Sequence, residues 1–324
     1  MHVGDGPPHD TLGPRDAPSV AVVRALLFQV LGASVDVERV RDGVSTFVYR
    51  VDFGRDTLYL RIWPFADESF ESEALILDEL QRRGVHAPRV VDWAATHPLI
   101  GRSYLLTSEI AGRPLDPNDA PATVRNVLLA AGHELSLLNS VAVDGFGWIV
   151  RAPGRSQPLR GEHTTARGFT TEHLEADLGL LASDVFGPSE VALLQQTIED
   201  HLGWLDVPAA QLAHGDFDTT PILHVDGRYA GIIDFSEVRG TGWQYDLGHF
   251  HLHDGHRLPV LGSRWLIEGY RHGTHLPEDA EHQIACQGLL IGIRRLARSI
   301  RLRPTALAYQ QPMAASIRVD RQWQ

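Results

Sequence analysis

Apolar positions recur at helical spacing first: after Pro18, residues Val22, Val23, Leu26, Leu27 and Val30 predict a helix. Two strand-like runs follow, 44–51 and 57–62, separated by a turn at Gly54. Residues 68–83 read as an amphipathic helix closed by Gly84, and 89–93 and 103–110 as two further strands. Beyond Gly112-Arg113-Pro114 the period lengthens, with helical patterns over 124–138, 189–205 and 283–300. Between the last two lie short strand-like runs at 222–225 and 229–233, joined by Asp226-Gly227, a two-residue hairpin signal. The expected fold class is α+β: a small β-rich lobe over 19–110, a larger mainly helical lobe over 111–324, and a disordered Gly/Pro/Asp-rich tail over 1–18.

A length of 324 residues suits one large domain or two lobes sharing a cleft, and 43% hydrophobic residues are enough to build a core. The net charge of −12 argues against a nucleic-acid partner, which requires a basic face. One cysteine, Cys286, excludes an internal disulfide and a thiolate metal cluster, in keeping with a reducing cytoplasm. The N-terminus has no basic start followed by an apolar core, and no apolar run is long enough for a membrane span, so a soluble cytoplasmic protein is expected. All 29 basic residues are arginine. Compositional drift accounts for that.

The stretch that carries chemistry begins at Leu212-Ala213-His214-Gly215-Asp216-Phe217-Asp218. It continues through the hairpin to Gly231-Ile232-Ile233-Asp234-Phe235-Ser236-Glu237 and ends at Tyr245-Asp246-Leu247-Gly248. Phosphoryl transfer to a hydroxyl needs one carboxylate to face the attacking oxygen and a second to hold the magnesium that bridges the phosphates. Both must stand on stiff backbone, which a hairpin provides. Asp216 and Asp234, on either side of Asp226-Gly227, meet that specification.

The segment resembles the catalytic core of the aminoglycoside phosphotransferase family, which has a protein-kinase-like two-lobed fold. The resemblance implies an ATP- or GTP-dependent, Mg²⁺-dependent O-kinase acting on a small hydroxyl acceptor such as an aminoglycoside-like antibiotic or a sugar. It implies Asp216 as catalytic base, Asp234 as magnesium ligand, and Asp246 and His214 as supports of the catalytic loop. Upstream, Asp42-Gly43-Val44-Ser45-Thr46 resembles the turn that covers the phosphates, giving Gly43 and Ser45 to the nucleotide. Arg61 stands where the family has its phosphate-binding lysine, and Glu73 matches the glutamate that pairs with that residue. Thr107-Ser108-Glu109-Ile110 matches the hinge, placing Ser108 and Ile110 at the adenine, and Gly145-Phe146-Gly147-Trp148 also recurs in the group.

This sequence departs from the pattern five residues after Asp216, where a second metal ligand, usually Asn, is expected. Pro221 stands there, with neither a side-chain ligand nor an N–H. Asp218, Thr220 or Glu237 would have to supply that oxygen. Two other kinds of function stay open: a kinase for Ser or Thr of a natural-product precursor peptide, and a nucleotide-binding pseudokinase. His249, His251, His253 and His256 read as helix packing, with zinc binding as the alternative. From 171 to 206 there are eight acidic residues and no arginine. That stretch is either a solvated helical face or an acidic wall for a cationic acceptor.

Overall fold

The alternating positions of the first hundred residues close into one antiparallel sheet backed by two helices. The computed structural model describes residues 17–40, 45–151, 159–255 and 257–320, so most of the expected tail, Gly43 and His256 lie outside the described residues. The first helix, α1 (Val20–Leu31), is capped by Ser19, whose Oγ accepts a hydrogen bond from Val22 N at 3.3 Å. It ends at Gly32 in the left-handed conformation. Then come β1 (Asp36–Val40), β2 (Phe47–Phe53), β3 (Asp56–Ile62), α2 (Glu71–Arg82), β4 (Val90–His97) and β5 (Arg102–Ser108). The strand order is β1-β2-β3-β5-β4. Period-two alternation along β3 turns Leu58, Leu60 and Ile62 into the core shared with α1, which leaves Tyr59 and Arg61 on the other face. That other face looks toward α2, and so the alternation delivers Arg61 to the cleft.

The remainder is mainly helical, with short strands inserted. It comprises β6 (Arg113–Pro114), α3 (Pro121–Asn139), β7 (Ala142–Val143), β8 (Phe146–Ile149), β9 (Gly161–His163), α4 (Ala166–Thr171), α5 (Leu174–Asp184) and α6 (Pro188–His201). After a 3₁₀ turn at Leu202–Leu205 follow β10 (Ala210–Ala213), β11 (Ile222–Val225), β12 (Arg228–Ile232), β13 (Arg239–Thr241), α7 (Gln244–His253), α8 (Ser263–Arg271), α9 (Ala280–Leu302) and α10 (Leu307–Asp320). The strands form a sheet of order β7-β10-β13-β8-β9 and a three-stranded sheet β12-β11-β6. Among the described residues no helix is long and apolar enough to cross a membrane.

The architecture is the expected β-rich lobe followed by a helical one. The differences lie in the shortest elements. β1 contributes one buried side chain, Val37, too few to show an alternation. β13 is three residues long, and the helix expected over 189–205 ends at His201 and tightens into the 3₁₀ turn. One close crossing matters for the site: a Cβ on Gly248 of α7 would lie 2.9 Å from Ile284 O and from Gly288 N of α9. The absent side chain lets the two helix backbones approach, which sets α9 directly behind α7.

Candidate functional site

The hairpin turns on Asp226 (φ +49°) and Gly227 (φ +77°), both left-handed, as a two-residue turn matched to strand twist requires. At its open end Ile233 N donates to Pro221 O at 3.0 Å, tying the residues that precede β11 to those that follow β12. The proline's lack of an N–H is no handicap, because the tie uses its carbonyl. Asp216, Thr220, Pro221, Ile233 and Asp234 thereby surround one small cavity of about 70 Å³. Two carboxylates eighteen residues apart line the same space.

The loop that carries Asp216 is fixed from below. Asp246, in the first turn of α7 and 1% exposed, accepts hydrogen bonds from His214 N (2.8 Å), Gly215 N (2.9 Å) and Asn139 Nδ2 (3.1 Å). Asn139 also donates to Leu212 O at 2.8 Å, joining the end of α3 to β10. The His214 ring sits edge-on between Phe217 and Phe235 and donates from Nε2 to Ile233 O at 2.9 Å. A carbonyl accepts only, so Nε2 carries the proton and Nδ1 is left to accept the 3.4 Å contact from Asp216 N. Gly215 has φ +87°, and a Cβ there would lie 1.9 Å from Glu237 O. Only glycine fits that position.

Asp216 itself is held from the helical side. Its Oδ1 accepts from Arg295 Nη2 on α9 at 2.5 Å, and His249 Nε2 on α7 lies 3.3 Å from the same oxygen, off the line of a full hydrogen bond. Burial pushes the His249 pKa down, the Arg295 charge pushes it further, and Asp216 only partly offsets them. Asp234 has φ +65° and is exposed, and its Oδ1 accepts from Ser236 Oγ at 2.7 Å. Asp218 is not among the residues that surround the cavity. It is 2% exposed, and its Oδ1 takes Thr220 N (2.7 Å) and Thr220 Oγ1 (2.5 Å) in a turn.

From the other lobe, Arg61 pairs with Glu73, has its Nε 3.4 Å from Thr46 Oγ1, and stacks over Phe70 at 5.1 Å. Burial raises the Glu73 pKa; Arg61 and Arg151 oppose that shift and Asp234 adds to it. Arg151 is the residue that sequence reasoning missed here. It stands over the Trp63 ring at 4.9 Å and donates to Ser236 O, while its own carbonyl accepts from Ser69 N at 2.9 Å. It bridges the start of α2 to the segment just after Asp234. Burial lowers its pKa, and the Glu73, Glu237 and Glu68 carboxylates work against that shift.

The remaining sequence-derived positions are more peripheral. Ser45 is exposed in the turn into β2. Ser108 pairs with Arg89 in both directions, N to O at 2.9 Å and Oγ from N at 2.9 Å. Ile110 packs against Gly231, where a Cβ would come 3.1 Å from Ile110 Cγ2. In the Gly145–Trp148 motif, both glycines take positive φ and the Trp148 ring lies 3.9 Å from the Arg239 guanidinium, a structural use.

Two readings left open by the sequence narrow. The acidic stretch is not a bare wall, because arginines from elsewhere in the chain meet it: Arg301 with Asp177 (2.6 Å), Arg318 with Glu190 (3.2 Å), and Arg167 with Asp206. Asp177 is 2% exposed and cannot face an acceptor. Among the described residues, no group of three or more His, Cys, Asp or Glu is disposed to hold a metal ion, and His256, the third member of the zinc alternative, lies outside them. His249 and His253 stack at 4.9 Å beside Arg295.

Comparison with known proteins agrees with this fold. In solved structures, a thermostable mutant of aminoglycoside phosphotransferase APH(4)-Ia in ternary complex with AMP-PNP and hygromycin B aligns with TM-score 0.68 and 18% identity. The alignment covers 94% of this chain and 98% of that one. A protein assigned as a fructosamine-3-kinase from Thermobifida fusca aligns with TM-score 0.63 and 22% identity, over 94% and 100% of the two chains. An assigned aminoglycoside phosphotransferase from Ralstonia eutropha aligns with TM-score 0.65 and 17% identity, over 94% and 98%. No curated protein matches the chain in sequence. The family model of the phosphotransferase enzymes matches residues 36–280, which takes in Arg61, Glu73, the Asp216 loop, the hairpin and Asp234, and the chain therefore belongs to the phosphotransferase enzyme family.

Proposed function

We propose that this protein transfers the terminal phosphoryl group of ATP or GTP to a hydroxyl group of a small molecule. The observation that carries the reading is the convergence of Asp216 and Asp234 on one cavity at the open end of a hairpin. In this reading Asp216 is the catalytic base: it orients the acceptor hydroxyl and takes its proton as the bond to phosphorus forms. His214 and Asp246 hold the loop so that the carboxylate keeps its direction. Arg61, fixed by Glu73, faces the phosphates, with Ser45 in the covering turn and Ser108 and Ile110 beside the adenine.

Magnesium fits the donor set, since Asp234 presents a hard oxygen at the cavity, and this ion is commonly held by one or two carboxylates with phosphates and water completing its shell. Asp234 is the residue that would hold it. When bound, Mg²⁺ neutralises charge on the phosphates. With Pro221 beside it and Asp218 committed to its turn, the site would hold one ion firmly and a second only weakly. Turnover should accordingly need more Mg²⁺ than nucleotide binding does, and titrating both against Mg²⁺ checks this; coincident curves would contradict it.

The neighbours crystallised with AMP-PNP, ADP and hygromycin B support a nucleotide site and a small hydroxyl-rich acceptor. Three of the eight acids over 171–206 are paired with arginine, so that stretch is only in part available to a cationic acceptor. Replacing Asp234 tests the metal assignment. Asp234→Ala should weaken Mg-AMP-PNP binding by about tenfold or more, yet leave the affinity for metal-free AMP-PNP unchanged. Equal loss with and without Mg²⁺ would take Asp234 out of that role.

A further inference from the structure

The Asp216 carboxylate is gripped by a residue far along the chain, on an element that neither the loop nor the hairpin explains. Arg295 lies beyond the segment matched by the family model, and its side chain is 1% exposed. We propose that Arg295 is a positioning residue for Asp216, locking the direction of that carboxylate in the cleft; this rests on Asp216 being the base.

A guanidinium stays charged at any physiological pH, so burying one requires an anion or several acceptors around it. Arg295 Nη2 reaches Asp216 Oδ1 at 2.5 Å, and Nη1 lies 3.4 Å from His253 Nε2. His249, near that oxygen, is fully buried and shifted toward its neutral form, whereas Arg295 brings a fixed positive charge to it. The mounting is rigid. α9 runs for 23 residues, and its close crossing with α7 at Gly248 and Gly288 fixes the distance between the helix and the loop.

A cation on a base has two opposed effects. It reduces the basicity of the carboxylate, and it fixes where that carboxylate points. In a loose phosphoryl-transfer transition state the proton moves late, so orienting the nucleophile matters more than basicity. On that argument the pair favours turnover. Were Arg295 only a buried ion pair, its loss would lower stability and affect catalysis in proportion to unfolding alone.

The experiment measures hydrolysis of Mg-ATP, with water standing in for the acceptor, and affinity for Mg-AMP-PNP. It compares the parent, Arg295→Met, Asp216→Asn and the double variant, each with its melting temperature. The expected result for Arg295→Met is a kcat lower by about tenfold to a hundredfold with nucleotide affinity unchanged. On the Asp216→Asn background the same change should cost nothing more, because two residues acting as one unit are not additive. A kcat within twofold of the parent, or an equal loss on both backgrounds, would overturn the proposal. If the methionine variant does not fold, Arg295→Lys takes its place, keeping charge without the planar fork. A fall of about tenfold then supports positioning, and a parental kcat overturns it. Asp216→Asn with full turnover would remove the base reading itself, whereas an inactive Asp216→Asn beside a fully active Arg295→Met would remove only the role of Arg295.

Discussion

Asp216→Asn is expected to lower phosphoryl transfer at least about a hundredfold while binding Mg-AMP-PNP nearly as well as the parent. Asparagine keeps the size of the side chain and a carbonyl oxygen for Arg295, so the loop keeps its shape. What it loses is the ability to accept the acceptor's proton. Steady-state kinetics paired with a binding titration separate the two effects. Equal turnover by variant and parent would exclude Asp216 as the base, and a matching loss of nucleotide affinity would mean that it contacts the nucleotide instead.

The largest effect on stability is expected at Asp246. Asp246→Ala removes the acceptor of three buried donors at once, namely His214 N, Gly215 N and Asn139 Nδ2. Water has no ready access, because the aspartate is 1% exposed. Leaving such donors unsatisfied costs about 3–5 kcal/mol, a large part of the stability of an ordinary domain. The loop backbone will then move, since the left-handed Gly215 is held by that carboxylate on one side and abuts Glu237 O on the other. Activity should fall with Asp246→Ala even at temperatures where the protein stays folded. Chemical denaturation curves and turnover measured on the same samples check both parts. A stability change under about 1 kcal/mol would mean that these donors find other partners.

Much of this site was legible in the sequence because its pieces are local. The His214–Asp234 stretch carries its turn residues, its strands and both carboxylates within twenty-odd positions, and Asp226-Gly227 sets the hairpin without outside help. Arg61 and Glu73 were paired by the family resemblance alone; strand alternation along β3 and the first turn of α2 are the physical reason they meet. The partners that complete the site are non-local. Arg151 lies between two strands with no pattern of its own, and only the fold sets it over Trp63 beside Ser236. Arg295 left a trace that went unread: it sits at the apolar stripe position Ile284, Gly288, Ile291, Arg295 of α9, where a charge signals a buried partner. The acidic stretch stayed ambiguous for the same reason. Its counter-charges, Arg301 and Arg318, lie more than a hundred residues away from Asp177 and Glu190.

The most direct test of the account is ³¹P NMR of the parent protein with Mg-ATP and a panel of hydroxyl-bearing acceptors, aminoglycosides and sugars among them, with Asp216→Asn as the control. The account predicts that at least one acceptor yields a phosphomonoester signal together with equimolar ADP, and that the control yields neither at a comparable rate. Nucleotide binding with no phosphomonoester, and with ADP formed no faster than by Asp216→Asn, would contradict it.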